Sequence, residues 1–338
     1  MNRTVSSSAC AAESVLDIRG MRTEFLIDGQ WHAAVRDLSL TVRRNETLAI
    51  VGESGSGKSM TALSVLGLLP AKGARIGAGQ VMFEGQDLAR LSERQMRRIR
   101  GNRIAMVFQE PMTSLNPTMR VGEQIGESLR AHKGVSRAEA RRQAVQLLLQ
   151  VGIPSAQTRL DDYPHQFSGG MRQRVMIAMA IACQPMLLLA DEPTTALDVT
   201  IQAQVLAVLN ELKASQGMSM IFITHNLGAV ALIADRVAVM YAGEIVELAP
   251  VADLYARPVH PYTEALLAAM PRVDRVNEDL RPIPGGVPSI RALPAGCAYA
   301  DRCPLKIDRC ETEAPRLAPL PGDVEHPVRC FVRNPEMT

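Results

Sequence analysis

Apolar positions in this chain gather in short unbroken runs. Thr47–Val51, residues 104–108, residues 186–190 and Ser219–Thr224 each read as a strand with little or no polar face. Runs of this kind mark parallel strands buried on both sides. Helical stretches lie between them, from Ser59 onward and over residues 199–214. Ser136-Arg137-Ala138-Glu139 has the form of a capping box and predicts a helix over Arg137–Gln150. Residues 110–180 read as mostly helical. Residues 186–248 alternate strand with helix and close on a hairpin of residues 237–241 and 244–248 about Ala242-Gly243. A second hairpin spans residues 80–87. This alternation predicts an α/β fold on a mostly parallel sheet. From about Pro250 proline becomes frequent and the regularity fades.

One inter-element segment carries phosphate chemistry. Residues 52–59 read Gly-Glu-Ser-Gly-Ser-Gly-Lys-Ser, between the strand Thr47–Val51 and a helix. Strand, glycine loop and helix in that order are the setting of a phosphate-binding loop. Glycines let backbone N–H groups turn around phosphate oxygens, and a helix start adds partial positive charge. The predicted nucleotide contacts are Gly52, Ser54, Gly55, Gly57, Lys58, Ser59 and Met60. Lys58 is expected on the β- and γ-phosphates and the Ser59 hydroxyl on Mg²⁺. The apolar run 186–190 ends in Asp191-Glu192. Asp191 is placed to hold Mg²⁺, and Glu192 to act as general base for water. Phe167-Ser168-Gly169-Gly170-Met171 precedes another helix, and its hydroxyl and glycine N–H groups suit a second anion site.

These motifs, in this order, closely resemble the nucleotide-binding subunits of ABC transporters. Phe167 to Met171 resembles the family signature, with Phe for the usual Leu and Met for the usual Gln. The resemblance implies that Ser168, Gly169 and Gly170 of one subunit bind the γ-phosphate held by another. Gln109 matches the Q-loop glutamine, a Mg²⁺ and water ligand that senses the membrane partner. Ala196-Leu197-Asp198 matches the D-loop, and His225 the switch histidine that orients Glu192. Phe25 fits the adenine-stacking aromatic, with Trp31 as the alternate. Residues 109–117, 168–174 and 191–204, the Arg257-Pro258-Val259-His260-Pro261-Tyr262-Thr263 segment and residues 283–288 narrow the likeness to the oligopeptide/dipeptide importer ATPases. Met171 and the wording of residues 191–198 favour the first of the two paired ATPases of such systems.

The fold so implied is a P-loop ATPase core with a mostly parallel sheet, an antiparallel β subdomain and a helical signature subdomain over about 110–180. An irregular cysteine-bearing C-terminal extension completes it. The domains expected are residues 15–250 and 251–338. The partners implied are a second, related ABC ATPase, two membrane permeases and an extracytoplasmic solute-binding protein, with this chain at the cytoplasmic face of the inner membrane. Peptide is the implied cargo, with nickel, glutathione or a glycoside as alternatives. A soluble ABC ATPase of DNA repair or translation is the competing class, and the long coiled-coil insertions or tandem modules usual there are missing.

Composition adds boundaries. The chain has 338 residues, 47% hydrophobic, with a net charge of only +2, which argues against nucleic acid as a partner. The basic run Arg90, Arg94, Arg97, Arg98, Arg100 and Arg103 has no interleaved aromatics and reads as a solvated helix face. The longest apolar stretch, residues 175–183, is broken by Gln184-Pro185, so no segment reaches the roughly 18 residues of a membrane span. The first residues lack the apolar core of a secretory signal, and residues 1–13 read as a loose polar tail. Cys297, Cys303, Cys310 and Cys330 follow a C-x5-C-x6-C-x19-C spacing, looser than common zinc knuckles. Four thiolates in a proline-rich tail suit a [4Fe–4S] cluster, as some of the resembled family carry; zinc and free thiols remain alternatives. Cys183 reads as a packed core residue, and Cys10 lies in the tail.

Overall fold

The computed structural model describes residues 14–195, 197–270 and 282–334. The N-terminal tail with Cys10, and Ala196 of the D-loop match, lie outside the described residues. The chain divides into two compact units: Met1–Asp17, Thr41–Thr47 and Met82–Ile223 in one, Ile18–Leu40, Leu48–Val81 and Thr224–Thr338 in the other.

The first unit is built on parallel strands. Leu187–Asp191, every residue buried, lies between Ile104–Val107 on one side and Ser219–Thr224 on the other. The registers are Val107↔Ala190 and Asp191↔Ile223, so the C-terminal ends of these strands come level. Helices Val121–Lys133 and Arg137–Gln150 pack together, the first burying Val121, Ile125 and Leu129 and the second Ala140, Ala144, Leu147 and Leu148. Gly122 is obligatory there, since a Cβ would stand 2.4 Å from Leu160 Cγ. Ser136 Oγ caps the second helix by accepting from Glu139 N at 3.2 Å. The reciprocal half of the expected box is replaced, because the Glu139 carboxylate takes Gln143 and Arg142 instead. Of the basic run, Arg94, Arg97 and Arg98 lie on the short helix Glu93–Ile99, and Arg97 and Arg100 are both paired to Glu93.

The second unit holds most of the strands Gln30–Arg43, Ser14–Ile27 and Ala74–Phe83, which neighbour one another in that order. It also holds a parallel pair, Thr47–Val51 with Arg236–Tyr241, register Val51↔Val239. Arg236–Tyr241 turns back into Glu244–Pro250 through Ala242 and Gly243, both at positive φ, as the expected hairpin requires. The C-terminal extension departs from expectation. Instead of irregular chain throughout, it holds two strands: Asp323–Val328 pairs antiparallel with Glu244–Pro250, and Ala318–Leu320 pairs antiparallel with Asp323–Val328. Pro319 and Pro327 mask these strands in the sequence, because proline usually argues against a ladder. Tyr241, Tyr262 and Tyr299 pack edge-on or tilted, with centroids 4.7 to 5.3 Å apart, and anchor the extension to the end of the strand Arg236–Tyr241. No helix among the described residues is long and apolar enough to cross a membrane.

Candidate nucleotide site

The phosphate loop sits in the second unit, between the buried strand Thr47–Val51 and the helix Lys58–Val65. Two glycines there are dictated by geometry. A Cβ on Gly52 (φ 152°) would stand 2.1 Å from the Met240 carbonyl oxygen. One on Gly57 (φ 104°) would lie 2.9 Å from the Ala34 carbonyl oxygen. Gly57 is the N-cap and offers the helix no side-chain cap, and no acid occupies the first turn. The first N–H groups of a helix so built are donors for an anion. The Lys58 ammonium, largely buried, donates to the carbonyls of Gly52 at 2.8 Å and Glu53 at 2.9 Å. Ser54 and Gly55 are exposed at the loop tip, while Ser59 and Met60 are half-buried on the first helical turn. His225 belongs to the same unit. It occupies the exposed turn after Thr224, where Asn226 caps the helix Leu227–Ile233 by accepting from Ala229 N at 3.2 Å.

The carboxylates are in the first unit. Asp191 is buried at the end of its strand, at 5% exposure. Glu192 follows with φ +46°, a left-handed backbone that costs a non-glycine residue about 1–3 kcal/mol and concentrates at functional sites. Its N–H donates to the Ile223 carbonyl at 2.8 Å, which holds the turn. Its Oε2 accepts from Thr195 Oγ1 at 2.7 Å and from Gln109 Nε2 at 3.3 Å. The level strand ends thus bring Gln109 and Glu192 together. Thr195 is a partner that sequence reasoning did not single out, although it lies within the quoted acidic motif.

The signature segment is also in the first unit. Ser168 is the N-cap of the helix Gly169–Ile181, its Oγ accepting from Met171 N at 3.4 Å. Ser168 and Gly169 are exposed, and a Cβ on Gly169 would meet nothing within 4 Å. Gly170 is tight, its would-be Cβ lying 2.5 Å from Ile201 Cγ2. Phe167 is a core residue, with the Arg159 guanidinium over its ring at 5.6 Å. An open glycine turn at a helix start, with no acid in the first turn, is again an anion-accepting arrangement. Of the two aromatics, Trp31 is occupied, its ring carrying the Arg75 guanidinium at 4.0 Å. Phe25 is half-buried on the strand Ser14–Ile27.

A family profile described as ABC transporter matches residues 35–195, and one described as oligopeptide/dipeptide transporter, C-terminal region, matches residues 246–310. A putative peptide import ATP-binding protein of Brucella melitensis is 53% identical over 330 residues, covering 94% of this chain and 97% of that protein. The chain belongs to the ATP-binding subunits of ABC transporters. This ABC ATPase is also similar to the oligopeptide transport ATP-binding protein OppD of Salmonella typhimurium, 49% identical over 95% of this chain and 96% of that one. The dipeptide transport ATP-binding protein DppD of Bacillus subtilis is 48% identical over the same shares. Among solved structures, a dimeric post-hydrolysis state of the ATP-binding cassette MJ0796 bound to ADP and Pi matches with TM-score 0.62 and 26% identity. It covers 70% of this chain and 98% of that one.

In the ABC ATPase extension Cys297 packs against Cys310. Cys297 N donates to the Cys310 carbonyl at 2.8 Å, and Cys310 packs with Ala300 and Phe331. Burial first, then the neighbouring thiols, pushes the Cys297 thiol up to about 11. Burial likewise raises Cys303 and Cys330. The iron–sulfur expectation meets a limit here. Among the described residues no three His, Cys, Asp or Glu side chains converge as a metal-holding group, although the donor chemistry suits a thiolate-bound cluster. Cys183 is buried and packed, as expected.

Proposed function

We propose that this chain hydrolyses ATP to energise peptide uptake across the cytoplasmic membrane. The observation that carries the reading is likeness along nearly the whole chain, C-terminal region included, to ATP-binding proteins named for peptide import. Lys58 and the loop N–H groups bind the phosphates, and Phe25 stacks on adenine. Ser59, Gln109 and Asp191 would hold Mg²⁺, which would offset the negative charge that develops on phosphoryl transfer. Glu192 takes the proton of the attacking water, and Gln109 and Thr195 keep its carboxylate oriented. His225 orients Glu192 from the γ-phosphate side. Ser168, Gly169 and Gly170 serve the nucleotide of a second, related but non-identical ATPase, whose signature completes the site of Lys58. Two permeases and an extracytoplasmic solute-binding protein make up the rest, and the chain works at the cytoplasmic face of the inner membrane.

The isolated chain should hydrolyse ATP slowly. Co-expression with the partner ATPase and permeases should raise the rate, and peptide-loaded binding protein should raise it again. In that assembly Gln109→Ala should keep nucleotide affinity and lose the stimulation. Steady-state ATPase assays in proteoliposomes read all of these, and fast peptide-independent turnover by the diluted monomer would refute the reading.

The four extension cysteines are proposed to hold a [4Fe–4S] cluster of structural role. Its support is the four-cysteine set of the extension and the packing of Cys297 against Cys310, since four thiolates are the ligand set of such a cluster. Protein purified without oxygen should be brown, with about four irons per chain. Cys303→Ser should lose the colour and loosen residues 297–330. Stoichiometric zinc without iron would reassign the site.

A further inference from the structure

The seat of Lys58 is held from outside the loop. Its ammonium rests on the carbonyls of Gly52 and Glu53. Glu53 in turn is gripped by residues of the C-terminal region. Its backbone N–H donates to Tyr262 Oη at 2.9 Å. Its carboxylate receives Arg302 Nη1 at 3.1 and 3.2 Å and Nη2 at 3.2 Å. Arg302 is itself fixed on every side. Its Nε donates to the Pro284 carbonyl at 2.7 Å, its Nη1 to Tyr241 Oη at 3.3 Å and its Nη2 to the Ile283 carbonyl at 3.4 Å. Its guanidinium carbon lies 5.7 Å from the Tyr241 ring centre and 5.8 Å from that of Tyr299. The Arg302 side chain is only 6% exposed.

A glycine-rich loop determines its own path weakly, since each glycine has wide backbone freedom. A planar, forked guanidinium bound to a carboxylate is the opposite: a charge-assisted contact with one geometry. The chain therefore fixes its phosphate loop at the one residue between Gly52 and the loop tip. The geometry points to Arg302 and Tyr262 as positioning residues for ATP binding. Acting through Glu53, they set the two carbonyls that aim the Lys58 ammonium at the phosphates. This rests on the reading of residues 52–59 as the ATP phosphate loop.

The competing role for the same contacts is to staple the extension down, with no bearing on nucleotide. Equilibrium binding of ATP, read by displacement of a fluorescent ATP analogue from the full-length chain, separates the two when paired with melting curves. Arg302→Ala should weaken ATP binding about tenfold, the usual scale for one charge-assisted contact. Arg302→Lys should recover part of this, because it restores the charge without the fork. The double variant Lys58→Ala with Arg302→Ala should bind ATP no more weakly than Lys58→Ala alone, since contacts acting through one group are not additive. A lowered melting temperature with unchanged ATP affinity, or losses that add in the double variant, would overturn the proposal. Should Arg302→Ala fail to fold, Arg302→Lys and Tyr262→Phe carry the test. Each is expected to weaken ATP binding several-fold with the melting curve little moved, and unchanged affinity in both overturns it. Full ATP affinity in Lys58→Ala would instead locate the failure in the phosphate-loop reading.

Discussion

Glu192→Gln should bind ATP and almost cease to hydrolyse it. The substitution keeps the shape of the side chain, and an amide oxygen can still accept from Thr195 Oγ1 and Gln109 Nε2. What it loses is the ability to take a proton from water, and losing a general base costs about 10²–10⁴ in rate. The backbone at this position is already committed. Its left-handed φ and its N–H bond to Ile223 do not depend on the carboxylate, so the variant should fold normally. With binding intact and turnover blocked, ATP should persist in the assembled complex and, if the proposed partner ATPase is present, hold it to this chain. Single-turnover hydrolysis and gel filtration in ATP and Mg²⁺ read both effects. A normal hydrolysis rate in the assembled complex would remove Glu192 from the role of base.

Lys58→Ala should fail one step earlier. The ammonium is the buried cation of the loop, and two carbonyls hold it in place. Contacts between a charged donor and phosphate are roughly twice as strong as neutral ones, and this residue is expected to make two. ATP affinity should therefore fall about a hundredfold, while the helix Lys58–Val65 persists because alanine is a strong helix former. Isothermal titration with ATP and Mg²⁺ gives the affinity, and circular dichroism the fold. The two variants together separate binding from chemistry.

Much of this was legible because buried parallel strands are plain in sequence. The run 187–191 has no polar face to confuse its reading, and its acids mark where the strand ends. The loop glycines carry their own reason, as Gly52 and Gly57 have backbone or side-chain atoms where a Cβ would go. Contacts between distant residues were not legible. Arg302 and Glu53 are separated by 249 positions, and nothing local to Arg302 distinguishes it from any other arginine. The strand Asp323–Val328 was hidden by Pro327 and by charge on its exposed face, although His326 is buried against Glu247 at 2.7 Å. The left-handed turn at Glu192 has no sequence signal either, since glycine or asparagine would be the usual choice. The Ser136 box was half right: the cap formed, but nearby Gln143 and Arg142 outcompeted a backbone N–H for Glu139.

The two strands added by the extension also bear on solubility. Without them Glu244–Pro250 would be a border strand, with its outward N–H and C=O groups open to any other chain with a strand to offer. Asp323–Val328 occupies that border, and the Arg329 N–H to Val246 carbonyl contact at 2.8 Å extends the closure beyond Val328. The border then moves to Ala318–Leu320, which is three residues long with Pro319 at its centre. Pro319 faces Pro327 across the ladder, and neither has an N–H to give. The sheet is thus ended by residues that cannot template another strand. An ABC ATPase whose sheet ends in this way has an edge that refuses to polymerise.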